Sequence, residues 1–210
     1  MPKPTFYNLP DFKKNIITDT LIKYFSLLPY IKVDIADIAK ECKIAKGSMY
    51  QYFKNKKDMY FYAVDQAFQH SLSIIERFKN TNISFFDMIE LSLSYLWDFI
   101  KEYPYSYTLL ERAFYHIDSP FLDEIFNLYL NESRIILSNI IKQNQENGYI
   151  RNDISSNSIL LFIEGVSIRF KQNFIEIFTK NGKKINEISH EEVEKWQKEI
   201  ILLLKEGLKA

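Results

Sequence analysis

The side chains best suited to reading another molecule are concentrated in residues 45–54. Their sequence, Ala-Lys-Gly-Ser-Met-Tyr-Gln-Tyr-Phe-Lys, mixes hydrogen-bond donors, tyrosine rings and a glycine. Only Met49 and Phe53, four residues apart, have the spacing of buried anchors on one helical face. The opposite face is available for a ligand.

Side chains for catalysis or metal binding do not gather in the same way. The histidines, His70, His116 and His190, fall in different segments. Cys42 falls on the buried side of a short predicted helix, where a structural thiol is expected. Glu187 and His190 have the spacing of a carboxylate-bridged metal motif, but that chemistry needs two such motifs on helices and two further glutamates. We therefore expect no enzyme activity, no metal and no other cofactor.

The composition favours a globular protein that works inside the cell. The chain has 210 residues, of which 47% are hydrophobic and 26% charged, enough for one large domain or two small ones. A single cysteine and the lack of a basic and apolar leader favour a reducing cytoplasmic setting. The longest strictly apolar run, residues 159–163, is too short to cross a bilayer.

Helical spacing of the apolar residues predicts an all-α protein with about nine helices. Local signals place several helix starts: Asp34 and Asn55 are predicted N-caps, Ser84 begins a predicted helix, and residues 153–155 are predicted to cap another. Ser119 followed by Pro120 predicts the start of one long helix, about residues 121–146. The predicted helices span about residues 10–28, 35–42, 46–53, 56–78, 84–102, 104–116, 121–146, 156–180 and 190–209.

The charge is unevenly distributed although the net charge is zero. Residues 1–57 hold eleven lysines and five acidic residues, a charge of +6, so the remainder carries −6. A basic head is typical of a module that binds a polyanion, although a solvated lysine face has the same composition. We predict a DNA-binding domain at residues 1–56 and a body at residues 57–210, linked by a long helix over residues 56–79 that ends at a polar break, residues 79–82.

Two short helices joined by a tight turn, after a longer helix and within the basic part of the chain, have the order of a helix-turn-helix. The residues resemble the tetracycline-repressor (TetR) family of bacterial transcriptional regulators. The resemblance is carried by Asp37-Ile38-Ala39 and by residues 45–59, which look like the family's recognition helix and the start of its fourth helix. Lys43 stands where the family usually has a turn glycine, and Ala45 where a serine or threonine commonly caps the recognition helix.

The resemblance implies that the third helix reads the major groove and that Lys56 contacts a phosphate. The predicted DNA-binding residues are Asp34, Ala45, Lys46, Gly47, Ser48, Tyr50, Gln51, Tyr52, Lys54 and Lys56. Tyr50 and Tyr52 could instead be structural aromatic residues, and Lys46 and Lys56 could be solvated lysines without a ligand.

In the body, the resemblance implies a homodimer and a small-molecule pocket. The last two helices are apolar beyond the needs of one chain, and their predicted interface residues are Phe162, Val166, Phe170, Phe174, Val193, Trp196, Ile200, Leu203 and Leu204. The candidate effector contacts are Trp97, Tyr103, Tyr107, Arg112, Tyr115, His116, Phe126, Tyr129, Phe162 and Arg169. Many of these aromatic residues could equally be core, and the two arginines could pair with carboxylates such as Glu111 or Glu164.

The sequence therefore predicts a ligand-responsive regulator, most simply a repressor that binds a palindromic operator as a dimer and is released by a small-molecule inducer. The alternative is an all-helical homodimeric module that binds ligands or proteins without specific DNA binding.

Overall fold

The computed structural model describes residues 1–76, 84–116, 119–180 and 189–209. It confirms the all-α prediction. The described residues form eleven α-helices, with a 3₁₀ turn at Tyr30–Lys32 and a π-helical turn at Phe126–Leu130. The helices are α1 Pro4–Tyr7, α2 Asp11–Leu27, α3 Ile35–Glu41, α4 Lys46–Tyr52, α5 Lys56–Glu76, α6 Phe85–Glu102, α7 Pro104–Tyr115, α8 Leu122–Ile125, α9 Asn131–Glu146, α10 Ser156–Lys180 and α11 His190–Leu208. The predicted end of the long linking helix and the polar break at residues 79–82 lie outside the described residues.

Local capping chemistry explains where four helices begin. Asp34 Oδ1 accepts a hydrogen bond from the Ala36 amide at 2.8 Å, and Asn55 Oδ1 accepts one from the Asp58 amide at 2.8 Å. Ser84 and Ser155 accept from the amides three residues later, each at 3.2 Å. These caps satisfy amides that have no partner inside the helix. They confirm the predicted caps at Asp34 and Asn55 and within residues 153–155, whereas Ser84, predicted as the first residue of its helix, is itself the cap.

Two predictions about helix number were wrong. Helix α1 was not predicted, although proline at its first position is a start signal. The predicted single helix over residues 121–146 is α8, a π-helical turn and α9 in succession. Ser119 does not cap α8, because its hydroxyl donates to the Ala113 carbonyl at 2.8 Å and α8 begins only at Leu122.

The chain divides into two compact units. Unit 1 holds residues 1–77 and 102–126, and unit 2 holds residues 78–101 and 127–210. Fully buried side chains from α2 to α5, among them Leu21, Ile38, Met49, Phe53 and Met59, form the core of the first part of unit 1. Helix α7 packs against α2 and α5 within the same unit. The predicted boundary at residue 56 falls inside unit 1, so the separate 1–56 domain stays a prediction.

Unit 2 has its own apolar core. Phe85 and Ile89 of α6 lie with Ile141 of α9 and Ile159 of α10 among side chains that are nearly excluded from solvent. Leu204 and Leu208 of α11 complete the same cluster. The last helix is therefore held to unit 2 by burial of its own leucines.

The turn between α3 and α4 is a Schellman motif with lysine in place of the usual glycine. The Ile44 amide donates to the Ala39 carbonyl at 2.9 Å, and the Lys43 amide donates to the Lys40 carbonyl at 3.1 Å. Lys43 has φ of +56°, in the left-handed region that side chains with a Cβ disfavour. At the end of α9, the same motif has Gly148 at the equivalent position, with φ of +72°.

We predict that Lys43→Gly stabilises the protein, because glycine removes the Cβ strain of the left-handed conformation. The expected gain in the free energy of unfolding is about 0.5–1 kcal/mol. Lys40→Gly, three residues earlier and inside α3, is the matched control and should lower the same quantity by a similar amount. Urea unfolding followed by circular dichroism measures both, and a loss of stability in Lys43→Gly would contradict the prediction.

Candidate nucleic-acid interface

Helix α4 is held to unit 1 along one side only. Met49 and Phe53 are fully buried, as their spacing predicted. Lys46, Gly47, Tyr50 and Gln51 are exposed, and Ser48 is partly buried. The predicted reading residues therefore share the solvent-facing side of this helix.

The glycine of α4 has no packing role within the chain. A Cβ added at Gly47 would meet no atom within 4 Å, and glycine in a helix costs about 1 kcal/mol relative to alanine. The fold of this chain does not require glycine here. A glycine at such a position leaves room for another molecule to approach the backbone.

An exposed ion pair lies at the start of the motif. Lys46 Nζ is 3.4 Å from Asp34 Oδ1, and both side chains are more than half exposed. The hydrogen bond from the Ala36 amide, with a further contribution from Lys46, holds the pKa of Asp34 below its usual value. Exposed pairs of this kind are weak, so Lys46 can exchange its partner for a phosphate or a base. Ala45 precedes α4 without a side-chain cap.

Lys56, at the start of α5, is more tightly held than a solvated lysine. Its ammonium donates to the Val33 carbonyl at 2.6 Å and lies 4.7 Å from the centre of the Tyr30 ring. Burial lowers the pKa of Lys56, and the nearby Asp34 charge opposes that shift. Lys56 therefore connects the turn before α3 to the start of α5. Lys54, by comparison, is exposed.

A contact that the sequence did not predict holds the end of α4. Lys3 donates its amide to the Tyr52 carbonyl and its ammonium to the Tyr50 carbonyl, both at 2.7 Å. The Thr5 hydroxyl donates to the Gln51 carbonyl at 2.6 Å. Phe6 is buried and its ring lies edge-on to Tyr52, with 6.1 Å between ring centres. Residues 3–6, named the α4 clamp below, carry only a weak sequence signal, the early proline followed by one aromatic residue.

The effector candidates are divided between the two units. Tyr103, Tyr107, Arg112, Tyr115, His116 and Phe126 belong to unit 1, and Trp97, Tyr129, Phe162 and Arg169 belong to unit 2. Tyr107 is almost fully buried, which raises its pKa far above the usual value. The buried Nη1 of Arg112 has no hydrogen-bond partner in the described part of the chain.

An open apolar groove runs between α10 and α11 in unit 2. It has a volume of 630 Å³, and Phe162, Val166, Trp196, Ile200 and Leu203 of the predicted interface line it, as does Arg169. Leu203 is 68% exposed, and Leu161 on the facing helix is 67% exposed. Exposed leucines at this density mark a surface that another molecule can cover.

Three residues of the predicted interface set are nearly excluded from solvent within the single chain: Phe170, Val193 and Leu204. Phe170 nevertheless lines the groove, whereas Leu204 belongs to the core cluster of unit 2. The side chain of Phe174 lies outside the described residues. Glu164, considered above as a partner for an arginine effector contact, forms an ion pair with Arg134, with 2.8 Å between Oε1 and Nε.

The groups that a catalytic or metal site would need are dispersed in the structure. His70 Nδ1 lies 2.8 Å from the Ser106 hydroxyl, and its ring stacks on Tyr103. His116 is exposed, and burial raises the pKa of the Cys42 thiol. Across the described ranges, no three His, Cys, Asp or Glu side chains converge as metal ligands would.

Comparison with known proteins identifies the first part of unit 1. Residues 17–63, which contain α3 and α4, match the family model for bacterial regulatory proteins of the tetR family. Over these residues, the chain has the sequence of the TetR family. Two relatives with similar sequences are named as regulators. The uncharacterized HTH-type transcriptional regulator YuxN of Bacillus subtilis is 38% identical over 66 residues. The biofilm operon icaADBC HTH-type negative transcriptional regulator IcaR of Staphylococcus epidermidis is 27% identical over 100 residues.

These similarities cover only part of each protein. They span 30% of this chain and 23% of YuxN, and 48% of this chain and 54% of IcaR. The TetR fold extends further. A TetR family transcriptional regulator from Chloroflexus aurantiacus superposes with a TM-score of 0.83 at 22% identity, covering 100% of this chain and 99% of that one. FadR from Bacillus subtilis, solved in complex with stearoyl-CoA, superposes with a TM-score of 0.66 at 18% identity, covering 92% and 98%.

One further finding concerns membranes. Among the described residues, no helix combines the length and the apolar character needed to cross a bilayer.

Proposed function

We propose that this TetR-family chain is a DNA-binding transcriptional repressor whose recognition helix is α4. The observation that carries the proposal is the solvent-facing side of α4, where Lys46, Gly47, Tyr50 and Gln51 are exposed while Met49 and Phe53 anchor the opposite side. A helix presented in this way can enter a major groove about 12 Å wide. The charge of +6 on residues 1–57 favours a polyanionic partner.

A repressor role is consistent with the name of IcaR, a negative transcriptional regulator. In this proposal Lys46, Ser48, Tyr50 and Gln51 face base edges, and Lys54 and Lys56 face phosphates. Asp34, Ala45 and Tyr52 border the same surface. Tyr52 is partly buried against Phe6, so it contributes mainly by packing.

We predict that Gly47→Ala separates DNA binding from stability. Alanine should stabilise α4 by up to about 1 kcal/mol, because the added methyl meets open space and raises helix propensity. The same methyl should weaken operator binding by about 1–3 kcal/mol, since it would stand where DNA approaches the backbone. Thermal unfolding and titration of duplexes from the region flanking the chain's own gene measure the two effects.

Gly207→Ala is the matched control for that variant. Gly207 is also exposed and helical with open space around its Cβ position, but it lies in α11. It should gain stability without losing DNA affinity. Unchanged operator affinity in a folded Gly47→Ala protein would remove α4 from the reading role and leave the module without specific DNA binding.

We also propose that the exposed groove between α10 and α11 is where two chains meet as a homodimer. Leu161 and Leu203 are largely exposed on either side of it, and a two-fold dimer would present two α4 helices to a palindromic site. Phe162, Val166, Trp196 and Ile200 would be covered with them.

We predict that Leu203→Glu yields a folded monomer. Because this side chain is exposed in the single chain, the new carboxylate stays hydrated when the chain is alone and loses its water only at a dimer interface. Sedimentation equilibrium at micromolar concentration measures the change. Ile31→Glu, which alters an even more exposed apolar residue in unit 1, should leave the dimer intact. A wild-type monomer or a dimeric Leu203→Glu would refute the interface.

A small, largely apolar or aromatic effector is proposed to release the protein from DNA. The buried ring of Tyr107 and the buried Nη1 of Arg112, both in unit 1, support such a ligand. The stearoyl-CoA bound to FadR makes acyl-CoA thioesters the first compounds to test.

We predict that coupling between effector and operator is reciprocal. A compound that lowers operator affinity by a given factor must itself bind the operator complex more weakly, by the same factor, than it binds the free protein. The corresponding coupling free energy is typically about 1–3 kcal/mol. Isothermal calorimetry with and without operator measures this coupling. Equal affinity for an active compound in both titrations would exclude release by coupled binding.

A further inference from the structure

The end of α4 shows an unusual division of hydrogen bonds. A helix leaves its last four carbonyl groups without partners inside the helix. In α4 the Met49 carbonyl accepts a hydrogen bond from the Phe53 amide at 2.9 Å, which is the ordinary helical bond between residues four apart. The next three carbonyls, of Tyr50, Gln51 and Tyr52, all accept from the α4 clamp, more than 40 residues earlier in the sequence.

This arrangement fixes the helix where its core anchors do not. Met49 and Phe53 hold one side of α4, but contacts on a single side leave the tilt of a seven-residue helix poorly determined. Hydrogen bonds to three successive carbonyls fix the position of its final turn. The Lys3 ammonium also places a positive charge at the negative end of the helix.

The clamp is itself anchored in the core of unit 1. The Phe6 ring is buried, with its centre 5.2 Å from the Phe53 ring and 5.2 Å from the Tyr62 ring. Because Tyr62 belongs to α5, the clamp joins the end of α4 to the following helix. Thr5 and Lys3 therefore extend from a fixed point.

We propose that Lys3 and Thr5 are positioning residues for DNA recognition, which set the angle at which α4 presents its exposed side. The inference rests on the proposed function, since it assigns the clamp a role in reading DNA through α4. Neither residue needs to touch a base. The clamp therefore affects how strongly the chain prefers operator over random DNA. Sequence is read at base edges, and those contacts depend on the angle of α4 more strongly than contacts with phosphates do.

Thr5 gives the cleaner test, because it is uncharged. Loss of a lysine would also remove attraction to phosphates and lower the salt dependence of binding. Thr5→Val keeps the shape and removes only the donor to the Gln51 carbonyl, whereas Thr5→Ser keeps the donor. Thr108→Val is the matched control, since Thr108 donates to the Pro104 carbonyl at 2.9 Å in α7 of the same unit.

The experiment measures affinity for operator and for random duplex over a range of salt concentrations, using the full-length chain. Thr5→Val should bind operator roughly three- to tenfold more weakly, the effect of one hydrogen bond. Its affinity for random DNA and its salt slope should equal those of the wild type. Thr5→Ser and Thr108→Val should bind operator as the wild type does.

Three results would overturn the inference. Thr5→Val could bind operator with wild-type affinity, it could lose operator and random binding equally, or Thr5→Ser could fail to restore discrimination. Each would show that the hydroxyl does not set the reading angle.

Amide hydrogen exchange without DNA separates this inference from the proposed function. The Lys3 amide should be protected in the wild type, and Thr5→Val should accelerate exchange of the Phe53 amide at the end of α4. Unchanged exchange would overturn the clamp whatever the DNA results. If Thr5→Val accelerates exchange of the Phe53 amide but the wild type binds every tested duplex no more tightly than random DNA, the proposed function fails. The clamp would then be shown only to order α4.

Discussion

The burial of Met49 and Phe53 is the interaction on which the candidate interface depends. A helix of seven residues is far too short to be stable alone in water, so α4 exists because these two side chains are fully enclosed in the core of unit 1. Their separation of four residues decides which side of the helix faces solvent. The exposure of Lys46, Gly47 and Tyr50 follows directly from that choice. The exposed face of α4 is thus a consequence of the core packing beneath it.

Local interactions could be predicted from the sequence because donor and acceptor lie within three residues of each other. The caps at Asp34, Asn55 and Ser84 are of this kind. The predicted cap at Ser119 was wrong because its hydroxyl donates to a different carbonyl, that of Ala113. A strong local signal is therefore reliable only where no other partner lies within reach.

The remaining features depend on contacts between distant parts of the chain. No spacing rule connects Lys3 with Tyr52. Similarly, the apolar stripes of α10 and α11 could not show which residues face the chain's own core, as with Leu204, which was included in the predicted interface and is buried in the core cluster of unit 2. The number of apolar residues indicates that such a helix is buried on two sides. Only the neighbouring helices show which side faces the chain's own core and which side is left for another molecule.

The discontinuity of unit 1 has a consequence for synthesis on the ribosome. Its first part ends at residue 77, but Tyr107, Leu109 and Ala113 of α7 are buried within the same unit. Aromatic contacts in unit 1 are also completed late, by Phe121, whose ring centre lies 5.3 Å from that of Tyr30 and 5.4 Å from that of Phe61. The nascent helix-turn-helix must therefore wait, with part of its apolar surface uncovered, until residues 102–126 have left the exit tunnel. Such long-range closure slows folding and favours rescue by chaperones.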